Sequence, residues 1–399
     1  MPLKLNKSKK YLLACSYGPD SMALFSMLLK EGYEFDVAFV NYNLRKESNQ
    51  EEADIKVFCA ENNIKLFDKS VKDYEPGNLE AQCRSIRYQF FKELSDKNHY
   101  ECVLVAHHQD DLLETYIMQK NRKNLVKHHG LAENTKIFDV NICRPLLSFT
   151  KQQLLDYCND NQIPYSLDIT NYEDSFLRNR IRHSIVEKMN AQERQNLLKE
   201  IDNKNKQLDL MFKKLNGLDL HLCETLLRLN TIEQLYALNE LCHEVSGYSV
   251  SASFGQQIIE ALKSDKPNIV IPFHRSISFV KSYDRCYFTH ENSILYSFVI
   301  NEPSVFDCEY FHLDFTKDTE NRNVRFDDYP LTIRNARPND EYLIKDYIVK
   351  VNRLFIDWKM PLELRKRWPV ILNKDGRIIY IPRYQKDFKP TEDINLFVK

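Results

Sequence analysis

Apolar and polar residues alternate in blocks along the first part of this chain. Short apolar runs at residues 11–15, 35–41, 65–68 and 102–106 read as buried strands. Between them, residues 21–31, 47–62, 78–96 and 110–120 carry apolar positions at helical spacing. Strands that alternate with helices predict an α/β fold with a parallel, doubly wound sheet covered on both faces. Residues 149–162 predict one more helix, followed by Ile163-Pro164-Tyr165 as an extended connector.

From about Ile185 the period changes. Residues 192–215 and 219–244 are helical in pattern and rich in Leu, Lys, Glu and Asn, with Ser246-Gly247-Tyr248 as a break. After Lys266-Pro267 short strands are expected at 269–272, 276–280, 285–288 and 294–300, and Tyr329-Pro330 marks another boundary. The last stretch predicts strands at 331–334, 347–351 and 370–372. Asn373-Lys374-Asp375-Gly376 then reads as a hairpin turn, with 377–382 as the returning strand. The expected organisation is an α/β domain at 1–185, a helical module at 186–265, a β-rich connecting segment at 266–330 and a smaller α+β C-terminal domain at 331–399.

Composition narrows the class. A chain of 399 residues exceeds one ordinary core. With 43% hydrophobic and 28% charged residues it fits a soluble globular protein, and no apolar run reaches membrane-spanning length. The basic start, 1–10, runs straight into the first strand without a signal region, so a cytoplasmic location is expected. Ten cysteines contain no CxxC pair, which favours free thiols in a reducing compartment over disulfides or zinc. The net charge is −1, but residues 331–399 hold fifteen Lys/Arg against nine Asp/Glu. A basic terminal module suits nucleic acid, although a solvated surface has the same composition.

Four blocks carry candidate chemistry. Cys15-Ser16-Tyr17-Gly18-Pro19-Asp20-Ser21 joins the first strand to the first helix. A helix N-terminus there offers free N–H groups to a phosphate, the hydroxyls can donate, and Asp20 can hold hydrated Mg²⁺. A plain capped turn has the same residue types. The second block, Ala106 to Thr115, follows the fourth strand, and its His107, Asp111 and Glu114 fall on one helical face at i, i+4 and i+7. That set can grip a cation or a substrate ammonium, or be a dipole-favoured helix start. In the third block Glu80, Arg84 and Arg87 share a face, either as an ion pair or with an Arg aimed at phosphate. The fourth joins Asp168-Ile169-Thr170-Asn171 to Arg178, Arg180 and Arg182, which on a helix would fan over a wide arc suited to a phosphate backbone or to solvent.

In order and spacing these blocks resemble the tRNA(Ile)-lysidine synthetases, a family of PP-loop ATP pyrophosphatases. The matching residues are SYGPDS at 16–21, EAQCRSIRY at 80–88, AHHQDDLLET at 106–115, RPLL at 144–147, DITN at 168–171 and RNRIR at 178–182. RNARPND at 334–340, LFIDWKMP at 354–361 and WPV at 368–370 resemble the family's terminal domain. There are departures. Tyr17 stands where the loop usually has Gly, and Asn41-Tyr42-Asn43-Leu44-Arg45 replaces the usual D-H-G-L-R. Residues 121–130 replace a Gly-rich stretch.

The resemblance implies a PP-loop ATPase domain that uses ATP and Mg²⁺ to adenylate the wobble cytidine of a tRNA(Ile) with a CAU anticodon. L-lysine then displaces AMP. By the same resemblance Ser16, Tyr17, Gly18, Pro19, Asp20 and Ser21 form the pyrophosphate loop, with Asp20 as the metal residue. Asp111 and Glu114 clamp the lysine ammonium, and His107 contacts phosphate or moves protons. Arg87 faces the α-phosphate or the activated base, and Arg178, Arg180 and Arg182 hold the RNA. The later modules would grip the tRNA, with Arg365-Lys366-Arg367-Trp368 as a candidate patch. No membrane partner is implied, and a homodimer is admitted. The rivals are a 2-thiolase-like relative, which the missing CxxC disfavours, a GMP-synthetase-like amide-forming relative, which would not need Arg178 to Arg182, and a non-catalytic RNA-binding protein on a decayed nucleotide fold.

Overall fold

The computed structural model describes residues 2–122, 125–166, 177–290, 295–316, 324–384 and 396–398. It divides into two compact units, Met1–Phe212 and Lys213–Lys399. The block at Asp168 to Asn171 lies outside the described residues.

The first unit is built on a six-stranded sheet. In chain order its elements are β1 (Lys10–Ala14), α1 (Pro19–Glu31), β2 (Glu34–Asn41), α2 (Ser48–Glu61), β3 (Leu66–Ser70), α3 (Leu79–Asn98), β4 (Val103–Val105), α4 (Gln109–Arg122), β5 (Asn134–Ile137), β6 (Val140–Cys143), α5 (Lys151–Asp160), α6 (Leu177–Ser184) and the start of α7 (Ala191–Asn216). The sheet order is β3-β2-β1-β4-β6-β5. All pairings are parallel except β5 with β6. The order reverses at β1, where β2 lies on one side and β4 on the other, so the carboxyl ends of β1 and β4 open one crevice.

The apolar runs become strands because both sheet faces are covered. Leu13, Val37 and Leu104 pack with Met22, Leu24, Phe25 and Leu28 of α1. On the other face Leu12, Ala38 and Val103 pack with Tyr88, Phe91 and Leu94 of α3. The hairpin of β5 and β6 carried no sequence signal. Its turn residues Phe138 and Asp139 have φ of 48° and 64°. These are the left-handed angles of a tight hairpin that glycine and asparagine usually mark, so the turn is invisible by residue type.

The second unit begins with α8 (Cys223–Arg228), α9 (Thr231–His243) and α10 (Ala252–Lys263). The single helix expected over 219–244 is therefore two. Asn230 breaks it, because its side chain accepts from the Ile232 and Glu233 N–H groups and starts α9 with a full capping box. An antiparallel sheet of β7 (Asn268–His274), β8 (Ile277–Ser282) and β9 (Arg285–His290) follows. Beyond it come β10 (Ser297–Ile300), β11 (Val305–Asp307), β12 (Phe311–Asp314), β13 (Leu331–Asn335), β14 (Glu341–Ile344), β15 (Tyr347–Lys350), α11 (Val351–Asp357), α12 (Leu362–Arg367), β16 (Pro369–Leu372), β17 (Ile378–Tyr380) and β18 (Leu396–Val398). These strands form sheets in the orders β10-β13-β16-β17, β11-β12-β18 and β14-β15. No helix among the described residues is long and apolar enough to cross a membrane.

Candidate active site

The loop from β1 to α1 is held by its own hydroxyls. The Ser21 Oγ donates to the Gly18 carbonyl at 2.9 Å and accepts from the Ser16 backbone N–H at 3.2 Å. Gly18 is the extended N-cap of α1 and Pro19 fills its first turn, where a missing N–H costs nothing. Tyr17 takes φ 59°, a left-handed angle that suits glycine. Its ring is buried at 6% exposure in the core beneath, and its carbonyl accepts from the Ser166 N–H at 2.9 Å. Ring burial thus offsets the backbone strain, and the loop closes without the usual glycine.

Asp20, in the first turn of α1, meets a lysine and a histidine. Lys151 Nζ lies 2.6 Å from its Oδ2, and His108 Nε2 lies 3.8 Å from the same oxygen. Its Oδ1 is buried without a partner among the described residues. His108 Nε2 is also 3.4 Å from Asp111 Oδ2, so one imidazole sits between the carboxylate of the loop and that of α4.

At the start of α4 the two adjacent acids face different ways. Asp110 accepts from the Lys151 N–H at 3.2 Å and pairs with Arg194, which ties α5 and α7 to the site. Asp111 accepts from the His108 backbone N–H at 2.9 Å and from Arg178 Nη2 at 2.9 Å. Burial pushes the Asp111 carboxyl up, but His108, His107 and Arg178 outweigh it and hold the group below the usual carboxylate range. His107 does not lie on the helix with Asp111 and Glu114, as its spacing suggested. It lies in the loop before α4, and Arg144 Nε donates to its Nδ1 at 3.1 Å. Burial, joined by the arginines around it, pushes the His107 imidazole down to about 4.

Glu114 is fully buried, and both its oxygens are taken. Arg178 Nε lies 2.8 Å from Oε2, Arg182 Nε 2.6 Å from Oε1, and Arg182 Nη2 3.1 Å from Oε2. The three arginines of α6 therefore do not act alike. Arg178 and Arg182, four residues apart, turn onto α4, whereas Arg180 is exposed.

A cavity of about 670 Å³ gathers most of these groups. Ser16, Pro19, Asp20, Ser21, Arg87, His107, Asp111 and Arg182 line it; Tyr17, Gly18, Glu114, Arg178 and Arg180 do not. One side of its wall is apolar, with Ala14, Ala38, Val40 and Phe91. Lys151, Tyr42 and Arg194 line it as well, and Arg144 braces it from behind. Sequence reasoning met Tyr42 and Arg144 only inside longer motifs, without a role, and missed Lys151 and Arg194. Thr150 with Gln153 forms a capping box that fixes Lys151 in the first turn of α5, and that pattern was the signal available for Lys151. In the second unit part of the candidate patch is structural. Trp368 is buried with its indole N–H on the Pro382 carbonyl, and Arg365 is spent on the Met360 carbonyl and the Tyr283 hydroxyl.

Comparison with known proteins bears on this geometry. A family model described as PP-loop domain matches residues 2–189. The tRNA(Ile)-lysidine synthase of Mycoplasma mycoides subsp. mycoides SC is 30% identical over 409 residues, spanning 94% of this chain and 97% of that protein. That of Bacillus subtilis is 28% identical over 431 residues, spanning 95% and 90%. That of Mesoplasma florum is 38% identical over 188 residues, spanning 46% of this chain and 47% of its own.

Proposed function

The chain belongs to the tRNA(Ile)-lysidine synthase family, and we propose that its cavity carries out both half-reactions of ATP-dependent lysidine formation. In the first, O2 of the wobble cytidine attacks the α-phosphorus of ATP and pyrophosphate leaves. In the second, the lysine amine attacks C2, AMP departs with O2, and the amine gives up a proton. The observation that carries this reading is the placement of Asp20 and Asp111 on either side of His108, at 3.8 and 3.4 Å. It brings together the carboxylate beside the loop and the one we assign to the amine.

The residues divide by chemistry. The apolar wall of Ala38, Val40 and Phe91 suits the purine. Ser16 and the N–H groups at the start of α1 suit the pyrophosphate, with Ser21 holding the loop in shape and Lys151 as a further cation. Arg87 is placed for the α-phosphate or the base. Asp111, on the wall and below the usual carboxylate range, accepts the lysine ammonium and orients its nitrogen. Glu114 serves the same end less directly, by holding Arg178 and Arg182 beside Asp111. Arg180, exposed on α6, is free to meet the RNA backbone.

The Asp20 oxygens fit a magnesium ion: among the described residues Oδ1 is buried without a partner, and Oδ2 lies at the cavity beside Lys151 and His108. No cluster of three or more acidic, Cys or His ligands occurs among the described residues. A site of one carboxylate completed by phosphate oxygens and water is typical of Mg²⁺. When bound, the ion supplies charge neutralisation on the leaving pyrophosphate.

A cytoplasmic location follows from the proposed substrate, a tRNA. The test is incubation with ATP, Mg²⁺, labelled lysine and a tRNA(Ile) transcript bearing CAU. Label should enter that RNA and not the methionine tRNA with the same anticodon, and AMP should be released in step. A non-catalytic RNA-binding protein would release no AMP.

A further inference from the structure

His107 has one nitrogen already assigned by its surroundings. Arg144 follows directly on β6 and is buried, at 5% exposure. Its Nε–H donates to His107 Nδ1 at 3.1 Å, while its Nη1 donates to the Ala132 carbonyl at 2.6 Å. The carbonyl and the imidazole thus fix two edges of the guanidinium at once. A guanidinium carries donors and no acceptor, so the ring nitrogen it meets must present a lone pair. Neutral His107 then has its proton on Nε2. The charged groups acting on the ring are Asp111, which favours a cation, and Arg144, Arg178 and Arg87, which oppose one. Burial opposes it most.

We propose that Arg144 is a positioning residue that locks His107 in the Nε2–H tautomer, so that the ring meets the reactants as a hydrogen-bond donor rather than as a proton acceptor. The proposal rests on the reading of this cavity as the site of adenylation and lysine transfer. Its consequence is a division of labour. His107 donates to an oxygen that gains charge, on the α-phosphate or on the departing AMP, and the amine's proton goes to a carboxylate. Asp111, which lines the same cavity as His107, is the carboxylate assigned to it.

The tautomer is measurable without turnover. Two-bond proton–nitrogen correlation spectra of ¹⁵N-histidine-labelled protein report which ring nitrogen is protonated, and His107 is identified by the signals lost in His107→Gln. The expected result is an unprotonated Nδ1 and a protonated Nε2 throughout the neutral pH range. In Arg144→Met the ring should relax to a tautomer mixture, and kcat for lysine transfer should fall about 10- to 100-fold with KM for ATP nearly unchanged. Arg144→Lys retains a cation and should recover part of the rate only if it restores the tautomer. A wild-type ring protonated on Nδ1 overturns the proposal, and that measurement does not need Arg144→Met to fold. So does an Arg144→Met protein with the tautomer and rate of wild type. If the tautomer is as expected but no lysine enters RNA, the reading of the cavity falls and the role of Arg144 stands.

Discussion

Glu114 grips Arg182 with both carboxylate oxygens, at 2.6 Å to Nε and 3.1 Å to Nη2, from a position with no solvent exposure. The pair locks α6 onto α4, and Arg178 adds a second guanidinium to the same carboxylate at 2.8 Å. Removing the buried charge strands two cations. Glu114→Gln should therefore cost about 3 kcal/mol, less what the partly exposed arginines recover from solvent. It should lower lysine transfer by at least about 100-fold, because Arg178 and Arg182 lose the common anchor that holds them beside Asp111. Urea unfolding and labelled-lysine incorporation measure the two effects, and full transfer in this variant would refute the anchoring role.

Asp20→Asn keeps the shape of the loop and removes one negative charge. The variant should lose most tRNA-dependent AMP and pyrophosphate release, with a change in stability below about 1 kcal/mol, since Asp20 is partly exposed and its ion pairs are weak in solvent. A variant that releases pyrophosphate at the wild-type rate would remove Asp20 from the chemistry.

Stability should depend on pH through His107. Its value drops from an ordinary 6.5 to about 4 on folding, so between those values the unfolded chain binds more protons. The contribution is fully present above 6.5 and is lost as pH falls toward 4, with a slope of at most about 1.4 kcal/mol per pH unit. Guanidinium unfolding of wild type and His107→Gln over this window should show a shallower slope for the variant. Parallel slopes would mean that His107 is not buried neutral.

Tyr17→Gly tests whether ring burial or backbone strain dominates in the loop. Relief of the left-handed angle recovers about 1 kcal/mol, whereas loss of a buried aromatic ring costs about 3–5 kcal/mol. The variant should therefore be less stable by about 2–4 kcal/mol in thermal or urea unfolding. A more stable protein would show that the strain dominates.

Asn230→Ala should destabilise the second unit by about 1 kcal/mol through the lost cap of α9. Loss of helical circular dichroism at a lower urea concentration than wild type is the expected result. No change would mean that packing alone separates α8 from α9.

The α/β alternation, the phosphate loop and the AHHQDDLLET block were legible in the sequence because each is local. Periodicity sets whether a segment is strand or helix, and a turn between strand and helix sets where a phosphate can sit. The hairpin at Phe138-Asp139 was hidden, because its left-handed angles are imposed by the strands it joins and not by residue type. The site had the same limit. Spacing put His107 on one face with Asp111 and Glu114, and it put the α6 arginines in a fan toward RNA. Only the packing of α6 on α4 decided that Glu114 spends its charge on Arg178 and Arg182 while Asp111 keeps a place on the cavity wall. Lys151 and Arg144 reach the site from segments far along the chain. A sequence fixes which charges exist and which neighbours share a turn. Which charge meets which across the core depends on long-range packing, and that is where the chemistry of this cavity was settled.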